Sequence, residues 1–105
     1  MLRLAVIGRT EILYNTILLL RNHGFEIALI VTSKEAPEYK IHSNDFQRLA
    51  DEINAYFIST ADINSKTAID LINKCGSLDL GISLNYSGII SQQIIDYFRI
   101  GILNA

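Results

Sequence analysis

The chain has 105 residues, half of them hydrophobic, 19% charged and only one a proline, which is the balance of one packed domain spanning 1–105 rather than of a disordered or collagen-like chain. Nine Lys and Arg against eleven Asp and Glu leave a net charge of −2, so no summed positive field draws it toward nucleic acid or an anionic membrane. The lone Cys75 cannot form an internal disulfide or furnish a clustered zinc site, no metal is expected, and neither a spanning segment nor a secretion signal is readable; the expected compartment is the cytoplasm.

Leu2 to Ile7 is a short apolar run stopped by Gly8, the pattern of a strand buried on both faces of a parallel sheet. Thr10 is the expected N-cap of a helix over Ile12 to Asn22, with Glu11 in its first turn and Gly24 closing it. Phe25 to Val31 reads as a second strand, and Thr32 to Ser43, carrying Pro37 among Glu35, Glu38 and Lys40, as a surface loop. Phe46, Leu49, Ala50 and Ile53 share one face of a helix beginning near Ser43 or Asn44, and Tyr56 to Ser59 supplies a third strand. Ala68, Leu71, Ile72 and Cys75 repeat that spacing on a helix begun near Asp62 or Asn64 and closed by Gly76. Leu78 to Ser83 is a fourth strand. Ser91 can cap a last helix pointing Ile94, Ile95 and Phe98 inward, and Ile100 to Asn104 is a fifth strand.

This alternation predicts an α/β fold: a doubly wound, open parallel sheet, Rossmann-like, in the order 3-2-1-4-5 with helices on both faces. Ligands of such sheets sit outside the carboxyl ends of the strands where the order reverses, here between strands one and four. Two segments are thereby nominated, Gly8 to Glu11 and Leu84 to Ser91. The first joins a strand to a helix start, where free amides and Arg9 favour an anion, although a strand-ending glycine before a capped helix is also ordinary architecture. The spaced glycines of a dinucleotide site, the lysine of a phosphate-cradling loop and the acids of a phosphorelay receiver are all missing.

His23 falls in the last turn of the first helix, where terminal carbonyls are its expected partners, and His42 reads as a solvated loop histidine. Cys75, on an apolar helix face, reads as a small core residue. Lys34, Glu35, Tyr39 and Lys40 lie on a charged loop that could touch a substrate, although such a loop is usually just solvated. Asn85-Tyr86-Ser87-Gly88-Ile89-Ile90-Ser91 offers main-chain polar groups and two aliphatic side chains, a combination that can grip a flat heterocycle; docking of the next helix would use Ile89 and Ile90 equally well.

The order of elements, that loop, the opening Ala5-Val6-Ile7-Gly8-Arg9-Thr10-Glu11, the stretch Val31 to Tyr39 and the ending Gly101-Ile102-Leu103-Asn104-Ala105 together resemble the N-terminal domain of the folate-dependent formyltransferases, which act on methionyl-tRNA, glycinamide ribonucleotide or sugar nucleotides. The resemblance spans the whole chain. It implies transfer of a formyl group from 10-formyltetrahydrofolate to a primary amine. Asn104 matches the asparagine of the family's Asn-x-His motif, where its carboxamide would help bind the oxygen of the tetrahedral intermediate, and Ala105 matches the variable position. Ser87, Gly88, Ile89 and Ile90 match the loop bordering the pterin, and Gly8, Arg9, Thr10 and Glu11 fall on the acceptor side. Gln92 stands where many members carry proline, and the glycine-rich phosphate loop of the ribonucleotide enzyme is not matched.

The motif histidine would be the residue after Ala105, and the aspartate that tunes it lies further on. Oxyanion binding and proton transfer act together, so this chain, read as a fragment or a shortened frame, is expected to be inactive by itself. The expected partners are the folate and an amine acceptor, with no membrane and no nucleic acid bound by this domain. The free edge of strand five, with Ile100 or Ile102 less covered, would favour self-association. The alternative is a noncatalytic Rossmann-like domain whose helix-start loop holds a small anion or nucleotide.

Overall fold

Side chains alternate across the first strand, Leu4 and Val6 into one layer and Ala5 and Ile7 into the other, and all four are at most 1% exposed. A strand buried on both faces demands helices on both faces. The computed structural model, which describes residues 2–33, 41–84, 86 and 88–104, has that architecture. The strands are β1 (Arg3–Gly8), β2 (Glu26–Thr32), β3 (Tyr56–Ser59), β4 (Leu78–Leu84) and β5 (Phe98–Asn104), and the helices α1 (Thr10–Asn22), α2 (Ser43–Ile53), α3 (Lys66–Lys74) and α4 (Gln92–Ile95).

The five strands are all parallel, in the order β3-β2-β1-β4-β5. Leu13 and Ile17 of α1 and Phe46, Leu49 and Ala50 of α2 close the layer over Leu4 and Val6. Tyr14 meets Phe46 edge to face, with ring centroids 5.7 Å apart, which ties these two helices together. Ile72 and Cys75 at α3 and Ile94 of α4 close the opposite layer over Ala5 and Ile7. The order reverses between β1 and β4, so the carboxyl ends of β1, β4 and β5 lie side by side.

Several boundaries differ from the sequence reading for local reasons. The N-cap of α1 is Arg9 rather than Thr10; Thr10 lies inside the first turn at φ +80°, a left-handed conformation that β-branched residues rarely take. His42 is not a solvated loop residue: it is half-buried as the N-cap of α2, its N–H donating to Asp45 Oδ2 at 2.9 Å. Helix α3 starts at Lys66, because Asp62 Oδ1 takes the Asn64 N–H (2.9 Å) in a side-chain turn and the Ser65 hydroxyl becomes the cap. Phe98 opens β5 instead of closing the last helix, which has four residues. His23 Nδ1 meets the Leu19 carbonyl oxygen (2.9 Å) and Cys75 is buried, both as expected. The charged loop around Pro37, with Lys34, Glu35, Tyr39 and Lys40, lies outside the described residues. Among the described residues no helix is long and apolar enough to cross a membrane.

Candidate functional site

Beyond the ends of β4 and β5 the chain forms an open cavity of about 350 Å³, a size suited to a small-molecule group. Its floor is Ser83 of β4 and Ile102 of β5, Ile95 of α4 stands at one side, and Tyr86, Gly88, Ile89 and Ile90 form the rim. Asn104, the last residue of β5, completes the wall. Ser83 and Asn104 are register partners in the parallel ladder, so Asn104 is carried to the mouth by the pairing that builds the sheet. Its side chain is exposed, and no hydrogen bond holds its carboxamide among the described residues.

The rim is built by side chains. Tyr86 folds back so that its hydroxyl accepts the Ile63 N–H at 3.0 Å and donates to the Thr60 carbonyl at 3.5 Å. Burial pushes this phenol above its ordinary titration range, partly offset by the Ile63 N–H. Gly88 lies on the Tyr86 ring: a Cβ there would stand 2.6 Å from Cε2. Asn64 reaches across from the turn before α3, and the Ser91 hydroxyl caps α4 by accepting the Ile94 N–H. Ile89 is 85% exposed, an aliphatic side chain free to lie against a planar ligand. The main-chain hydrogen bonds found among the described residues involve neither Gly88 nor Ile90.

Of the residues nominated from sequence, Gly88, Ile89, Ile90 and Asn104 are brought together here, whereas Ser87 lies outside the described residues. Gly8, Arg9, Thr10 and Glu11 stand apart from the cavity, at the junction of β1 and α1. The cavity therefore sits over β4 and β5, one strand further along than the β1–β4 position expected from the reversal of order. Gly8 is locked between Thr32 and Leu84 in the ladders, and a Cβ on it would overlap the Leu84 carbonyl. Near it the hydroxyls of Thr10, Thr32 and Ser33 are buried without a hydrogen-bond partner among the described residues. Sequence reasoning missed Ser83, Ile95, Ile102 and Asn64. Ser83 was legible in principle, as a hydroxyl ending a buried strand beside the nominated loop.

Comparison with protein-family models and with curated proteins finds no match.

Proposed function

We propose that the cavity receives the heterocycle of a reduced folate and that the chain is the N-terminal domain of a 10-formyltetrahydrofolate-dependent N-formyltransferase. The observation carrying this reading is the convergence of Gly88, Ile89 and Ile90 with Asn104 on one cavity: a flat ring needs main-chain donors and acceptors at its edge and apolar cover on its face, and the loop offers both. A folate bound there would supply the formyl group: the acceptor amine would add to the formyl carbon, the bond to N10 would break only afterwards, and the amine proton would pass to N10. The carboxamide N–H of Asn104 would donate to the formyl oxygen while it carries negative charge between addition and cleavage. Among the described lining residues no histidine or carboxylate can carry the proton, so the 105-residue chain is expected to bind folate without transferring the formyl group. The acceptor, an amine of a sugar nucleotide or an aminoacyl-tRNA, would approach from Gly8 to Glu11. Action in the cytoplasm belongs to the same reading, as does pairing of a second copy along β5, where Ile100 is 55% and Leu103 60% exposed.

A second reading is favoured by one observation, the three buried hydroxyls of Thr10, Thr32 and Ser33 beside the start of α1, which have no hydrogen-bond partner among the described residues. They suit a small anion held by a noncatalytic domain. Calorimetric titration of the 105-residue chain with 5-formyltetrahydrofolate, and separately with inorganic phosphate and a nucleotide, decides between the two. The folate reading expects saturable binding of the first alone; binding of phosphate or nucleotide alone supports the second and ends the first.

A further inference from the structure

The described residues of the loop that rims the cavity are in neither helix nor strand, and besides Tyr86 the Asn64 side chain ties the loop to the body of the domain. Asn64 Nδ2 donates to the Ile89 carbonyl at 2.7 Å, and Asn64 Oδ1 accepts the Ser91 N–H at 3.0 Å. The two bonds engage alternate residues of the loop, so the carboxamide does the work of a neighbouring strand, with one donor and one acceptor facing an extended segment. Asn64 is itself held, because its N–H donates to Asp62 Oδ1 at 2.9 Å. Thr60 Oγ1 in turn accepts the Asp62 N–H at 3.1 Å.

The clip has two consequences for the cavity. The Ile89 carbonyl is already engaged, while Gly88 and Ile90, on either side of it, are absent from the main-chain hydrogen bonds among the described residues. With its peptide fixed, the Ile89 side chain is held at the mouth, 85% exposed, rather than collapsing onto the apolar lining residues Ile95 and Ile102. We propose that Asn64 is the positioning residue of this cavity: it holds the rim open and leaves the main-chain groups of Gly88 and Ile90 as the ones a ligand can engage. The proposal rests on the reading that the cavity takes a ligand, and it adds a residue from a different part of the fold to that site.

Two variants separate the bonds. Asn64→Ala removes both, whereas Asn64→Asp keeps an acceptor for Ser91 and sets a carboxylate oxygen against the Ile89 carbonyl, where nothing is left to donate. In the ligand-free chain, amide hydrogen exchange at Ser91 is expected to rise by about tenfold or more in Asn64→Ala and to stay near wild type in Asn64→Asp, with β1 and β4 amides unchanged. Affinity for 5-formyltetrahydrofolate, measured well below the unfolding temperature of each variant, is expected to fall by about tenfold in both. A purely structural role would lower the unfolding temperature and leave affinity in the folded protein untouched, so unchanged affinity in both variants overturns the proposal. Undiminished Ser91 protection in Asn64→Ala overturns it as well. If the wild-type chain binds no folate, the functional reading fails separately; Ser91 exchange then still decides whether Asn64 positions the rim.

Discussion

Gly8 and Gly88 both lie where strands give way to connections, but the chain closes around them in opposite ways. At Gly8 the neighbours are main chain: Thr32 and Leu84 flank it in two ladders, and no atom can be added without striking the Leu84 carbonyl. At Gly88 the neighbour is the Tyr86 ring, a side chain rather than main chain. Closure by backbone leaves no space for a side chain on Gly8 itself. Closure by side chains, through Tyr86 and Asn64, leaves a cavity of about 350 Å³ beside the end of β5. Of the two segments nominated from topology, the one held by side chains lines the cavity described beside β5.

Substitution at the two glycines tests that contrast most strongly. Gly8→Ala places a Cβ against a carbonyl at φ +152° and is expected to lower the unfolding free energy by at least about 3 kcal/mol, read from the urea midpoint. Gly88→Ala only displaces a ring and is expected to cost about 1–2 kcal/mol. Equal losses would break the distinction between the two regions. Tyr86→Phe sharpens it further: the Ile63 N–H loses its acceptor, at a cost of about 1 kcal/mol, and the same urea midpoints check it.

The smallest effect is remote from both glycines. Burial pushes the Cys75 thiol up from 9.0 to about 11, with Arg3 opposing, so folding favours the neutral thiol. The stability this contributes is whole below about pH 9 and declines as pH rises through 11. Urea midpoints at pH 8 and 10.5 are expected to fall modestly in wild type and less in Cys75→Ala. Alkylation of Cys75 at pH 8 should follow unfolding rather than precede it.

The architecture was legible because each element is locally marked. Gly24 and Gly76 close helices at positive φ, and Phe46, Leu49 and Ala50 form the buried stripe that their spacing predicts. The starts of α1 and α3 were read less well, since a hydroxyl or carboxamide near a helix start can cap, turn or stay unpaired, and only tertiary neighbours choose. The Thr10 hydroxyl has no partner among the described residues, and Asp62 turns the chain ahead of the Ser65 cap. Asn104 and the Gly88 to Ile90 loop were nominated from sequence, but their meeting depends on the Ser83–Asn104 register. The Asn64 clip could not be read at all, because it joins residues 25 and 27 positions apart through a side chain with no periodic signature.

Backbone amide chemical shifts during titration with 5-formyltetrahydrofolate test the assignment of the site most directly. Saturable shifts confined to Gly88, Ile89, Ile90, Ile102 and Asn104, with Gly8 to Ile12 unmoved, are the expected result. Shifts centred on Thr10, Thr32 and Ser33, or none at any concentration that the ligand's solubility allows, would contradict it.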